Sequence, residues 1–326
     1  MVNEVMEGLE KIIERKGKKF LLKVETSRDP EDYLKYEKLR EEIWCFPYDN
    51  MPGPRNMMCE NIFFDGSNLL IAVYTETEEG DFSKQDYAHQ VGFSHGYVGV
   101  MDKKVAFRSL DNLQFYSQYV GVREDFQTYG LGILIKEFQR EKVIDLFGIH
   151  KVTSTYDPLT GMNAYRNIHH FGMEVIHYRV DIYGDFGGNL NREDIPSDRF
   201  VMLWDLKKET QRPAYDLESL LEKKQIVTEV AYAEIQGKSS ILDLEVIKEI
   251  NLSLDQDFLL VEIPFDFYKM LRETDVEDRR MREIPLEWRM KTRQVFQSLF
   301  QRGYKVIDFK HIERYDRKRD FYILKR

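Results

Sequence analysis

"YVGVREDFQTYGLGILIKEFQRE" (residues 119–141) runs from an apolar strand pattern, through a charged turn and two glycines, into a helix. Gly130 and Gly132 stand two residues apart where that helix must begin. Glycine there admits positive φ and lets a ligand approach the backbone. The first-turn amides of a helix lack intrahelical acceptors and lie at the positive end of its dipole. The stretch therefore reads as an anion site suited to a phosphate. The alternative is a turn that needs glycine for packing alone.

Outward from this stretch, strands read at "KKFLLKVET" (18–26), "NLLIAVYT" (68–75), "HQVGFSHGYVGVM" (89–101) and "LQFYSQYVGV" (113–122). Between the first two, "SRDPEDYLKYEKLREEIW" (27–44) carries Ser27 or Asp29 as N-cap and Pro30 early in a helix. The N-terminal "MVNEVMEGLEKIIERKGKK" reads as a charged amphipathic helix without the apolar segment of a signal peptide. After the 119–141 stretch come a strand at "HKVTSTYDP", a short helix closed by Gly172, and strands at "MEVIHYRVDIYG" and "DRFVMLWDL". This order predicts an α+β protein with three α/β/α layers and a mixed, mostly antiparallel sheet. It lacks the βαβαβ alternation of a dinucleotide fold, and no Lys-Ser/Thr follows the glycines as a Walker loop requires.

Length and charge bound the rest. At 326 residues two units are expected. We place the boundary at 206/207, before the polar "KKETQRPAYD", giving segments 1–206 and 207–326. The net charge of −9 disfavours wrapping of nucleic acid. From Arg279 onward, however, 15 Lys and Arg face 6 Asp and Glu, which reads as a solvated helix face with a cationic tail. Within it, Trp288, Val295, Leu299 and Phe300 mark an apolar face for core packing. Two cysteines, Cys45 and Cys59, make no metal or disulfide framework, and the histidines show no metal-ligand spacing. No apolar run approaches the ~18–20 residues of a membrane span. The expectation is a cytoplasmic protein with no metal and no membrane or nucleic-acid partner.

The second half repeats a frame. "YRNIHHFGMEVIHY" (165–178) and "FQSLFQRGYKVIDF" (296–309) each end a helix at a glycine and enter a strand through Val-Ile. Each follows a strand-like run ending in Pro and Asp, and each precedes a last apolar strand. This reads as a degenerate half-repeat. The competing reading is that helix–Gly–strand corners recur in any α/β protein.

With the pieces in this order the chain resembles the GNAT N-acyltransferase superfamily. The likeness rests on Gln127-Thr128-Tyr129-Gly130-Leu131-Gly132, a Q-x-x-G-x-G opening a helix after a strand ending in Val, and on Phe171-Gly172-Met173 further on. More narrowly, "TYDPLTGMNAYRN", "IYGD", "NLNR" and "PSDRF" with "WDL" resemble a group of predicted acetyltransferases within it. The resemblance implies a sheet with splayed central strands and acetyl-CoA or another acyl-CoA as acyl donor. The acyl group would pass directly to the amine of a small molecule or peptide. Residues Gln127 to Ile133 would hold the pyrophosphate, and Val120 and Val122 the pantetheine, with the Val120 amide as oxyanion donor; Asn163 would add a pantetheine contact.

On period two, Tyr116, Gln118, Val120 and Val122 share one face. Tyr116 falls where many relatives carry a Glu base, and Gln118 where the narrower group suggests a His. The acid usually supplied by a Tyr four residues before the glycine is here Ile168, which leaves Tyr165 and His169 as substitutes. Trp44, Phe46 and Asp157 are candidate substrate contacts. Asp198 and Arg199 read as a structural ion pair. The departures at Gln118 and Ile168 keep a second reading open, a non-catalytic acyl-CoA-binding or sensing protein.

Overall fold

A computed structural model describes residues 8–45, 66–184, 187–209, 212–239, 241–314 and 316–326. Phe46 and Cys59 lie outside the described residues. The chain forms two compact units, Met1–Ser154 with Asp205–Lys207, and Thr155–Trp204 with Lys208–Arg326. The chain passes between the two units at 154/155, 204/205 and 207/208, so Thr155–Trp204, expected in the first segment, belongs to the second unit.

Unit 1 holds β1 (Glu10–Arg15), β2 (Lys18–Val24), β3 (Asn68–Thr75), β4 (Gln90–Val100), β5 (Leu113–Val122) and most of β6 (Lys151–Tyr156), with helices α1 (Leu34–Trp44) and α2 (Leu131–Phe147). The first five strands pair antiparallel in chain order, and β6 joins β5 in parallel. The N-terminal helix expected from sequence is instead strand β1. Lys16 and Gly17, at φ 51° and 75°, make a two-residue turn between paired Arg15 and Lys18. Positive φ at both turn positions matches the twist of a hairpin. That pairing takes up the backbone groups a helix would have used.

Strand β3 is buried along its whole length because both faces are covered. Leu70, Ala72 and Tyr74 pack in one cluster with Tyr33, Tyr36, Leu39 and Phe93, on the α1 side. Leu69, Ile71 and Val73 alternate to the other face, where α2 buries Leu131, Ile135 and Phe138. These are the expected three layers. Asp29 caps the turn that leads into α1, accepting from the Glu31 amide at 3.0 Å.

In unit 2, β7 (Glu174–Arg179) pairs antiparallel with β8 (Arg199–Asp205), and β11 (Phe258–Ile263) and β12 (Lys305–Arg314) flank β13 (Arg317–Lys325). A hairpin of β9 (Thr228–Gln236) and β10 (Ile241–Ile250) is separate. The helices are α3 (Gly161–Ala164, continued as a π-helical turn Tyr165–His170), α4 (Leu217–Glu222), α5 (Phe267–Glu273) and α6 (Arg279–Gln301). From Thr155 at the end of β6 the strand order is β6, β8, β7, and the later strands repeat it as β11, β13, β12. Both corners turn on left-handed glycines, Gly172 at φ 62° and Gly303 at φ 88°. The two stretches that share a frame in sequence thus lie in sets of strands with the same order. Helix α6 buries Trp288, Val295, Phe296 and Leu299 as core.

Candidate functional site

The site in unit 1 lies where β5 ends and α2 begins. Arg123 closes the strand: its amide donates to the Val91 carbonyl at 2.9 Å and its Nη2 to the Tyr87 carbonyl at 2.9 Å. A 3-10 turn, Glu124–Tyr129, follows. Gln127 Nε2 reaches back to the Val122 carbonyl at 3.4 Å, and Tyr129 packs edge-on against Phe20 at 5.3 Å. Those two side chains brace the turn.

Gly130 stands at φ 71° and ψ 18°, with no side-chain cap on α2. A Cβ built on it would meet nothing within 4 Å. The left-handed conformation, more than crowding, is why glycine is needed here. Its carbonyl accepts from Ile133 N at 3.1 Å and Leu134 N at 3.4 Å, so the intrahelical ladder begins there. The Leu131 and Gly132 amides precede the ladder, at the positive end of a 17-residue helix. Leu131 anchors that end with a fully buried side chain, Thr128 is exposed, and Ile133 is half-buried. An open left-handed glycine beside uncapped amides leaves the positive end of this helix without a side-chain acceptor.

Strand β5 also parts from β6. Their parallel ladder joins Phe115 to Val152 and Tyr116 to Thr153. Among the described residues, no ladder pair on that side extends past Tyr116. The expected splay thus opens beside residues 117–122.

On the opposite side, the ladder with β4 slips: His95 faces Tyr119 while Gly96 faces Ser117, leaving Gln118 as a bulge. The bulge corrects the expectation that Tyr116, Gln118, Val120 and Val122 share a face. Paired residues point the same way, so Tyr116 opposite Tyr97 and Tyr119 opposite His95 share the Phe93 face. Val120 and Val122 instead pair with Ser94 and Gly92 and turn toward α2, where Ile135 Cδ1 would lie 3.3 Å from a Cβ on Gly92. The extra residue shifts the period-two alternation by one.

The Phe93 face is aromatic. Trp44 packs on Tyr119 at 5.4 Å and on Phe93 at 5.9 Å, and Tyr97 on Tyr116 at 5.6 Å. Gly121 makes room for α1, since a Cβ there would lie 2.7 Å from Trp44 Cη2 and 2.8 Å from Ile43 Cδ1. His95, which the sequence reading passed over, is fully buried on this face. Its Nδ1 lies 3.2 Å from Gln118 Oε1 and its Nε2 2.8 Å from Asn68 Nδ2. An amide oxygen only accepts and an amide nitrogen only donates, so these partners assign the Nδ1–H tautomer. Burial lowers the His95 pKa to about 4, against a smaller upward pull from Gln118. The imidazole is neutral at pH 7 and orients the Gln118 amide. The signal that would have found it is the pairing of "GFSHGY" with β5, which period two along one strand does not contain.

The unfolded chain protonates His95 near pH ~6.5, and the folded chain only near about 4, so the unfolded state binds the proton first. Stability is lost as pH falls through that window, by about 3 kcal/mol at most from this residue. Thermal melts of wild type and His95→Gln between pH 7 and pH ~4.5 should show a shallower acid decline in the variant. Parallel declines would mean that His95 does not carry the effect.

The remaining candidates belong to unit 2, where each has a partner within the unit. Asp157, expected to contact substrate, is buried and forms a bidentate pair with Arg289, at 2.8 Å for Oδ1, with Arg199 Nη1 at 3.4 Å from Oδ2. Its carboxylate is engaged within the core. Asp198 likewise pairs with Arg293 at 2.7 Å, so Asp198 and Arg199 are structural but do not pair through their side chains. The Asn163 amide donates to Thr160 Oγ1 at 3.1 Å and accepts from Arg166 at 2.6 Å. Tyr165 lies between His169 and His311, each at 4.8 Å between ring centroids. His169 is tied to Asp308 at 2.7 Å and His311 to Asp320 at 2.6 Å. Ile168 is core.

No family model matches this sequence, and no curated protein matches it. Among solved structures it is similar to NAA60 of Arabidopsis thaliana bound to a bisubstrate analogue, with 10% identity over 56% of this chain and 98% of that one, at a TM-score of 0.39. It is also similar to the ribosomal-protein-S5-alanine acetyltransferase of Vibrio fischeri, with 10% identity, 61% and 97% coverage and a TM-score of 0.41. The ribosomal-protein-S18-alanine N-acetyltransferase of Escherichia coli gives 12%, 60% and 99%, and 0.37.

Proposed function

We propose that this chain is an acyl-CoA-dependent N-acyltransferase of the GNAT type. It would move an acyl group from acetyl-CoA or another acyl-CoA to an amine of a small molecule or peptide. The observation that carries this reading is the start of α2: a left-handed Gly130 with open space at its Cβ, beside uncapped amides. The backbone from Gln127 to Ile133 holds the pyrophosphate, and the main chain of Val120 and Val122 holds the pantetheine where β5 has left β6. The bulge redirects the valine side chains but leaves this use of the main chain intact.

The bound donor supplies an activated thioester carbonyl. The Val120 amide would donate to the carbonyl oxygen as the amine nitrogen bonds the carbonyl carbon; the C–S bond then breaks, and CoA leaves as a thiolate that takes up, through solvent, the proton the new amide nitrogen sheds. A preorganised donor of this kind contributes ~3 kcal/mol. The Phe93 face receives the acceptor. His95 holds the Gln118 oxygen, so the Gln118 NH2 is left to orient an acceptor carbonyl, with Tyr116 beside it. None of these groups is a strong base at neutral pH. The amine therefore enters as its free base, helped by an aromatic environment that disfavours the ammonium form. Tyr165 and His169 have no part in this reading, because their rings and His169 Nδ1 are engaged within unit 2.

The test is release of free CoA thiol from acetyl-CoA with a panel of amines. The expected result is amine-dependent release that rises about tenfold per pH unit below the pKa of the amine, the signature of a site without its own base. Binding of acetyl-CoA with no release for any amine would replace this reading by the second one, a sensing protein that keeps the phosphate cradle. The weak basicity of Tyr116, Gln118 and His95 favours that alternative.

A further inference from the structure

The connection between β4 and β5, residues 101–112, bears the two most exposed large apolar side chains among the described residues, Leu110 at 83% and Phe107 at 75%. Met101 and Val105 are exposed beside them. Such side chains at the tip of a loose loop would signify little, but this loop is built. Asn112, itself 9% exposed, donates to the Asp102 carbonyl at 2.8 Å and the Ala106 carbonyl at 2.7 Å, and accepts from the Asp102 amide at 2.9 Å. Ala106 is held at φ 52°, a left-handed conformation that alanine rarely adopts unless its surroundings impose it. Lys151 Nζ ties the Asp111 carbonyl to β6 at 2.8 Å. The scaffold spends its polar groups inward and leaves the apolar ones outward.

Three exposed cations, Lys103, Lys104 and Arg108, stand among these apolar residues. Among the described residues none of the three has an ion-pair partner. The C-terminal cations differ, since Arg289, Arg293, Arg302, Arg319 and Arg326 are each paired with a carboxylate. Asp102 and Asp111 leave the loop with a net charge of +1, three cations against two carboxylates, and Asp102 accepts from the Lys104 amide at 2.8 Å at its base.

We propose that the 101–112 loop docks this protein peripherally on an anionic lipid surface, with Phe107 and Leu110 at headgroup depth and Lys103, Lys104 and Arg108 against the headgroup charges. Protruding apolar tips on a rigid base need a surface that yields around them, as the bilayer interface does; a peptide ligand would need a groove. Apolar burial and attraction of Lys and Arg to anionic lipid add at such a surface. The sequence expectation of no membrane partner rested on the lack of a span. Peripheral docking requires none, and no helix among the described residues is long and apolar enough to cross a membrane.

The experiment is cosedimentation of the intact protein with vesicles of phosphatidylcholine, alone or with about one-third phosphatidylserine. Wild type should bind only the anionic vesicles. Phe107→Ser with Leu110→Ser should weaken binding by about tenfold or more. Lys103→Glu with Lys104→Glu should do the same and abolish the preference for anionic lipid. Ile241→Ser, which changes another exposed apolar residue, in unit 2, should leave binding unchanged. All these side chains are exposed, so equal melting temperatures will show that folding is intact. No wild-type binding at low salt would overturn the proposal, as would loop variants that bind like wild type. Self-association of the wild type that the Phe107 and Leu110 changes abolish would also overturn it, by assigning the surface to a second copy of this chain.

Discussion

Arg289→Met should lower the stability of the intact protein by about 3–5 kcal/mol at pH 7. Arg289 is fully buried on α6, and both its terminal nitrogens bond Asp157, while its guanidinium lies 5.3 Å from the centroid of the Phe267 ring. Burial alone would push the Asp157 carboxyl up. The charges of Arg289 and then Arg199 outweigh it and hold the carboxyl below its ordinary range. Methionine fills much of the volume but leaves Asp157 with one cation at 3.4 Å and the Leu159 amide at 2.9 Å. A buried charge deprived of its main partner is costly because water cannot replace it.

The pH dependence identifies the cause. In wild type the folded pKa of Asp157 is depressed, so its contribution is present above the unfolded value of ~3.9 and is lost as pH falls through the folded value. In the variant, burial should raise the folded pKa instead. The folded state then binds the proton more tightly, and the deficit against wild type shrinks toward pH ~4. Urea unfolding followed by Trp fluorescence measures this, since Trp288 lies beside residue 289. Asp157→Leu with Arg289→Met should recover part of the loss, because an absent pair costs less than a broken one. A single variant within 1 kcal/mol of wild type, against the ~3 kcal/mol minimum expected, would show that the pair does not organise this core.

What the sequence disclosed depended on how local the cause was. Strands β3 and β5 and the start of α2 have local causes: a run of apolar residues buried on both faces, and glycine where the backbone must turn left-handed. Their bounds were readable. The Lys16–Gly17 hairpin was equally local, but the amphipathic spacing before it overshadowed a lone Lys-Gly turn signal. The Gln118 bulge is different. Whether β5 carries an extra residue depends on the register of β4, and nothing in "LQFYSQYVGV" records it. His95 went unnoticed for the same reason, as it joins the site only across that ladder. The Asp157–Arg289 pair joins positions 132 residues apart. From sequence, Asp157 carried only its place at a strand end, so a functional reading and a structural one looked alike.

Gly130→Glu should weaken acetyl-CoA binding by at least a hundredfold while leaving the fold in place. Two effects act in the same direction. A carboxylate at residue 130 puts a negative charge where two phosphates would lie, and repulsion between close like charges out of bulk water is worth several kcal/mol. The side chain also occupies the open space beside the Leu131 and Gly132 amides, denying the backbone to any ligand. The fold should tolerate the change because nothing lies within 4 Å of the new Cβ. The cost is the left-handed φ of 71°, about 1 kcal/mol for a side chain other than Asn or Asp. Gly130→Asn separates the two effects, since Asn accepts this conformation and carries no charge. It should bind within about tenfold of wild type, the loss being steric. Calorimetry with acetyl-CoA on the three proteins reads this directly, with melting temperatures as the check on folding. Equal binding by wild type and Gly130→Glu would place the cofactor elsewhere, and with it the proposed reaction. The glycine would then be only what its φ requires, the residue that lets β5 turn into α2.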